Sequence, residues 1–274
     1  MADVERWITV HPNGADSKGQ PIPVMEGQSK GEAIKSFKHK DKNIRELKNE
    51  QLYDLIGNKS TKIGKVYSDE EIENIVIELA ENYTTPERGK EDLNLKKVLM
   101  DIGYDAKPLK LKKEEFAKVL IRGKIVFRGL HGEDSFKHKE DFYNGEMFVG
   151  TGLGGNGIYV SQDKTVALSY AQENGSVICA IVPKEMKIAG KECREDFKIF
   201  IDKIKTKYAY NKQKTKEENI KNSNIMKCAS YGIYCALKGY DGYLPTINPE
   251  KNFVILNRGK LVIGENNEQE YFLE

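Results

Sequence analysis

The chain lacks an excess of either charge. Its 44 Lys and Arg stand against 42 Asp and Glu, a formal net charge of +2 over 274 residues. So close a balance gives no whole-protein attraction to nucleic acid or to an anionic membrane. Cysteine is sparse. The four present, Cys179, Cys193, Cys228 and Cys235, include no C-x-x-C pair. The chain is also long for a disulfide-stapled domain, which favours free thiols in or near the core. Histidine is equally scarce: His131 and His138 have no Cys or second His at ligand spacing, and His11 and His39 sit in polar surroundings. That argues against a metal site. No apolar run reaches membrane-spanning length, and the opening segment MADVERWITV has no apolar signal core. The expectation is a cytoplasmic protein with no membrane partner. What remains is 39% hydrophobic residues, enough for a real core, and 24 glycines whose placement is uneven.

Residues 1–66 read as a polar appendage with too few apolar residues for a core of its own. Trp7–Val10 and Pro21–Val24 are candidate short strands, and Lys42–Ile56 a candidate helix. Residues 67–274 read as the main domain, with a helical segment over 67–122 and a mixed core over 123–274. Ser68 and Glu71 form a capping box ahead of Ile72, Ile75, Val76, Leu79, Ala80 and Tyr83 at helical spacing. Thr85-Pro86 is expected to open a second helix with Leu95, Val98, Leu99 and Ile102 inward and Gly103 as its stop. A third runs from Lys112 to Ile121. Strands are expected at Ile125–Phe127, Met147–Val149, Ile158–Val160, Ser176–Val182, Asn252–Leu256 and Lys260–Ile263. Asp163 caps a helix presenting Val166, Ala167, Tyr170 and Ala171 on one side. Further helices are expected over Cys193–Tyr208 and over Ser223–Leu237. Short strands with inserted helices indicate an α+β fold. From Lys187 to Lys227, twelve basic residues face six acidic ones. This is a solvated helical face or a patch for an acidic partner. It has no aromatic interleaving at the spacing that single-stranded nucleic acid requires.

Three segments carry the chemistry. Val126-Phe127-Arg128-Gly129 ends an apolar strand with a cation beside bare backbone, an arrangement that can hold an amide or a phosphate. The run from Gly150 to Ser161 contains Gly150, Gly152, Gly154, Gly155 and Gly157 ahead of Tyr159. It is not a P-loop, because no Gly-Lys-Ser/Thr follows. It is not a dinucleotide-binding turn, because its glycines precede a strand. Tyr159 and Tyr170 lie eleven residues apart, on a strand and on the following helix. They can be two core tyrosines or two faces clamping one flat ring. In the third segment, Glu250 and Asn252 stand just ahead of Phe253-Val254-Ile255-Leu256. A carboxylate at a strand start can stabilise a developing oxocarbenium ion.

In this order, Arg128-Gly129, Gly157-Ile158-Tyr159, Tyr170 and a polar residue before Phe-Val-Ile-Leu resemble the ADP-ribosyltransferase superfamily. The Gly-x-Gly-Ile-Tyr segment is similar to the poly(ADP-ribose) polymerase and diphtheria-toxin branch. The Arg-Gly opening is similar to the arginine-first branch with many bacterial toxins. The resemblance covers about residues 102–263 and implies a split β-sandwich. It implies NAD as substrate and transfer of ADP-ribose to a host protein acceptor. Arg128 would lie near the cofactor phosphates or the nicotinamide ribose, and Gly129 would hold the nicotinamide amide. Gly157 would belong to the cofactor loop, and Tyr159 and Tyr170 would sandwich the nicotinamide ring. The opening WITVHPNG is similar in composition to phage head-associated proteins carrying such domains, which implies association with a phage particle.

Two positions depart from the pattern. Asn252 stands where the family's glutamate belongs, and an amide supplies no negative charge. Glu250, two residues earlier, shares a face with Asn252 if the strand extends to it. In the arginine-first branch such a residue helps to select the acceptor, and here it is the candidate stand-in. Ala167 occupies a position where the polymerase-like branch favours a hydroxyl, and Ser161 is the candidate compensation. The leading expectation is mono-ADP-ribosylation. The alternatives are a catalytically degenerate NAD-binding or virion-structural module, and NAD hydrolysis without an acceptor.

Overall fold

The computed structural model describes residues 66–264. These all lie in the compact unit Ile56–Glu274. The expected strands at Trp7–Val10 and Pro21–Val24 and the expected helix at Lys42–Ile56 lie outside the described residues.

The unit is α+β. Helix α1 (Asp69–Glu81) begins at the Ser68/Glu71 capping box. Helix α2 spans Leu93–Asp101, β1 Leu109–Leu111, α3 Lys113–Leu120, β2 Lys124–Leu130 and α4 Ser135–Asn144. Next come β3 (Ile158–Ser161), α5 (Lys164–Ala171), β4 (Ser176–Val182), β5 (Ile188–Ala189), α6 (Lys191–Lys207) and α7 (Lys216–Cys228). Helix α8 (Tyr231–Leu237), β6 (Gly242–Tyr243), β7 (Asn252–Ile255), a short 3₁₀ turn and β8 (Val262–Gly264) close the described chain.

Three expectations are corrected. Thr85-Pro86 does not open a helix. Gly89 turns the chain at φ +78°, and the cap falls to Asp92, whose carboxylate accepts from Asn94 N and Leu95 N. Met147–Val149 is not a strand. The Val149 carbonyl instead accepts from Asp92 N, and Gly150 forms isolated bridges to Glu91 and Gly157. The helix expected over Ser223–Leu237 is two helices. α7 ends at Cys228, and Ser230 caps α8 through Ile233 N. The break serves burial: α7 shows one face to the core, while Gly232 to Leu237 of α8 are buried all round.

The strands form one eight-stranded hydrogen-bonded order, β1-β8-β4-β2-β3-β7-β6-β5. Alternation along the strands sorts the core into two faces. On one face Val126, Ile158, Val160, Ile178, Ala180, Phe253 and Ile255 pack with Phe142 of α4 and with Leu261 and Ile263. The other face has two separate coverings. Helices α1, α2, α6, α7 and α8 pack over Tyr243 and Val254. Helix α5 covers Phe127 and Cys179 through Ala167. The line between those coverings runs along β2 and β3.

Pairing weakens along the same line. β2 pairs with β4 from Lys124↔Val182 to Leu130↔Ser176. β3 pairs with β7 from Ile158↔Ile255 to Ser161↔Asn252. Between β2 and β3 the only registered pair is Phe127↔Ser161. Where a split sandwich is expected, the strands stay joined in one order but nearly part at this seam.

Candidate active site

The three motif segments, far apart in sequence, meet at the seam. Phe127, Ser161 and Asn252 lie in register across β2, β3 and β7. Two residues further, Tyr159 pairs with Val254, and continuing the β2/β3 register sets Gly129 opposite Tyr159. Beyond Phe127 the β2 edge that faces β3 has no registered partner there. Unpaired backbone of that kind is a site where a planar amide can bind.

Gly129 is required by α5. A Cβ at this position would lie 2.0 Å from the Ala167 carbonyl oxygen and 2.9 Å from Tyr170 Cβ. Any side chain would therefore lift the helix off the strand. The close approach puts the Tyr170 Cβ over Gly129, and Tyr170 is 68% exposed. Ala167 and Ala171, not Tyr170, are the buried anchors of α5.

Tyr159 lies half-buried on the same face as Gly129, and its hydroxyl donates to the Gly155 carbonyl at 2.5 Å. Burial raises its phenol to about 12, and the neighbouring Tyr170 adds to the rise. No ring-to-ring contact joins Tyr159 and Tyr170 among the described residues. The glycine loop covers Tyr159: a Cβ on Gly152 would come within 2.6 Å of its ring. Gly157 has φ +148°, and a Cβ there would meet Val254 Cγ1 at 2.5 Å. The chain's own packing thus demands bare backbone at Gly157, whatever binds nearby.

Arg128 and Gly129 do not end their strand as expected, because pairing with β4 carries β2 on to Leu130, and by alternation Arg128 belongs to the opposite face. Its guanidinium turns into the seam and donates from Nη1 to the Tyr159 carbonyl at 3.3 Å. The residue keeps some exposed surface, yet the guanidinium sits deep enough that burial lowers its pKa to about 10. No carboxylate pairs with it among the described residues. Arg258, a second buried cation, feels repulsion from Arg128. Arg258 stacks on Phe142 and donates to the Ala106 and Glu146 carbonyls.

The polar residues ahead of β7 behave differently from one another. Asn252 is half-buried and donates from Nδ2 to the Ile247 carbonyl at 3.3 Å. Ser161, its cross-strand partner, is buried and accepts from Asp163 N at 3.1 Å, so its hydroxyl helps to start α5. Glu250 is exposed and precedes the strand, inside a turn where Asn248 has φ +47° and its carbonyl accepts from Lys251 N and Asn252 N. The expectation that Glu250 and Asn252 share a strand face is therefore corrected, because strand alternation does not extend into the turn. Glu250 is tied to the site through its backbone, whose carbonyl accepts from Gln162 Nε2 at 2.9 Å.

Sequence reasoning missed the supports of the glycine loop. Asn156 donates to Asp92 Oδ2 at 2.6 Å, and Thr151 donates to the Glu87 carbonyl at 2.6 Å. Asp92 carried a legible signal, an acid directly ahead of an apolar-periodic run. Asn156 carried none. The basic excess over Lys187–Lys227 is partly offset by the acidic face of α1. Lys207 lies 2.5 Å from Glu73, and Lys221 lies 3.3 Å from Glu81. All four cysteines are buried and free. Among the described residues no cluster of three or more His, Cys, Asp or Glu could hold a metal ion, and no helix is long and apolar enough to cross a membrane.

No protein-family model, curated protein or solved structure matches the chain.

Proposed function

We propose that this protein is a mono-ADP-ribosyltransferase that transfers ADP-ribose from NAD to a protein acceptor, and that its sheet is the split β-sandwich of that superfamily. The observation that carries the reading is the convergence on adjacent strands β2, β3 and β7 of the three segments that the resemblance singles out. The exposed Tyr170, whose Cβ lies over Gly129, adds to it. In this reading the free β2 edge at Gly129 takes the nicotinamide amide, and Tyr159 and Tyr170 flank the ring. Arg128, a deep cation with only a carbonyl partner among the described residues, takes phosphate charge.

The reaction breaks the bond between the ribose anomeric carbon and the nicotinamide nitrogen. Nicotinamide leaves with the electron pair, and an acceptor nucleophile bonds to the oxocarbenium-like carbon and loses its proton. Fixing a bent NAD at the seam lowers the barrier by orientation. Asn252 hydrogen-bonds a ribose hydroxyl, and Glu250, on its exposed turn, receives the acceptor's proton.

Calorimetry with NAD and with nicotinamide, followed by labelled NAD in host extract, tests the proposal. Binding with label transferred to protein supports it; no binding and no transfer overturns it. Asn252 itself favours a second reading, a binding module that has lost catalysis. That reading holds if the wild type binds NAD silently and Asn252→Glu gains transfer or hydrolysis. It fails if Glu250→Ala abolishes wild-type transfer. Free ADP-ribose without labelled protein would instead make the protein an NAD glycohydrolase.

A further inference from the structure

Away from the seam, two thiols face each other. Cys193 Sγ and Cys235 Sγ lie 3.8 Å apart, at hydrogen-bonding distance for sulfur. Cys193 sits in the first turn of α6, whose N-cap, Gly190, provides no side-chain cap. The uncapped N–H groups and the helix dipole there favour a thiolate. Cys235 lies within the buried helix α8. The buried hydroxyl of Tyr231 lies against this pair and interacts with both thiols.

Cys193 is 3% exposed and Cys235 0%. What surface Cys193 keeps faces a cleft of about 340 Å³, lined also by Asp69, Asp196, Tyr234, Lys238 and Tyr240. The lining carries both signs of charge, with Lys238 2.8 Å from Asp69. The other two thiols, Cys179 and Cys228, line no part of this cleft.

We propose that Cys193 and Cys235 form a redox-active dithiol that takes a small disulfide as substrate, with Cys193 as the nucleophile. The hydrogen bond from Cys235 holds the Cys193 thiol below its ordinary pKa, while burial holds Cys235 well above its own. Of the two thiols, Cys193 is therefore the readier to ionise. The Cys193 thiolate attacks one sulfur of R–S–S–R, forms the mixed disulfide Cys193–S–S–R and expels one R–S⁻. Cys235 gives its proton to that leaving thiolate and attacks the Cys193 sulfur, expelling the second R–S⁻. The dithiol loses two electrons, and the small disulfide becomes two thiols. Closing the bond needs the sulfurs to approach from 3.8 Å to about 2.05 Å, a move of roughly 1.8 Å.

The test treats the reduced full-length protein with glutathione disulfide under native conditions, quenches with acid, alkylates the free thiols and maps them by mass spectrometry. The expected product is an internal Cys193–Cys235 disulfide with Cys179 and Cys228 still free. Burial raises the thiols of Cys179 and Cys228 to about 11 and about 12, so they should react at least about tenfold more slowly. Cys235→Ser should stop at glutathione on Cys193, and Cys193→Ser should leave Cys235 unmodified. If either variant misfolds, the wild-type map decides alone. The proposal is overturned if Cys193 stays reduced in native protein, or if all four thiols react at one rate.

Discussion

Lys260 and Arg128 are both cations held within the same sheet, and they are held in opposite ways. Lys260, 5% exposed, lies 2.6 Å from Asp241, itself 2% exposed. Asp241 also accepts from Asn257 Nδ2 and from Lys187 N, and its own carbonyl accepts from Leu256 N and Asn257 N. There the two charges meet each other, and both carboxylate oxygens of Asp241 accept hydrogen bonds within the chain. Arg128 has one bond to the Tyr159 carbonyl and no carboxylate among the described residues. A satisfied network of buried charge fixes one arrangement of the chain. An unanswered buried cation costs free energy until an anion arrives. The comparison therefore separates a structural lock, Asp241 with Lys260, from a cation at the seam that meets only a carbonyl among the described residues.

The largest expected effect tests the lock. Asp241→Ala strands Lys260 without its partner and should cost about 3–5 kcal/mol in denaturant unfolding. A loss below about 1 kcal/mol would mean the two regions are not different in kind. Next is the seam's packing. Gly129→Ala drives a methyl into the Ala167 carbonyl and should cost about 1–3 kcal/mol while lowering NAD affinity. Unchanged stability would show that α5 moves away freely.

Arg128→Gln sharpens the contrast. Folding stability should change by less than about 1 kcal/mol, because no carboxylate among the described residues is orphaned and the glutamine amide can still donate to the Tyr159 carbonyl. NAD affinity should fall by about tenfold or more through the lost charged contact. A stability loss matching that of Asp241→Ala would make Arg128 a structural residue. Smallest is Ser68→Ala, outside both regions. It removes a cap and should cost about 1 kcal/mol with NAD binding unchanged.

Much of the fold is legible in local sequence. The Ser68/Glu71 box, the Asp163 cap, and the strands at Ile158–Ser161 and Ser176–Val182 follow from residues within a few positions of one another. Errors came where local signals compete. Thr85-Pro86 has the form of a helix start, but Asp92 offers two backbone N–H groups a carboxylate. A helical period runs through Ala229, but Ser230 offers a new cap, and α8 must turn to bury all its faces. Short β1, β5 and β6 gave no signal, because two or three residues carry no period.

The candidate site was legible as a set of residue types and not as a geometry. The sequence by itself determined where caps, strands and glycines fall, since hydrogen bonds within a helical turn and the alternation of a strand depend only on near neighbours. Tertiary structure alone decided that β2 and β3 share a single pair, that Arg128 reaches Tyr159 with no acid to meet it among the described residues, and that Glu250 falls in a turn. It also brought Cys193 to Cys235. Those outcomes depend on which surfaces of distant segments pack together. Such packing is a property of the whole core, and no local window of sequence contains it.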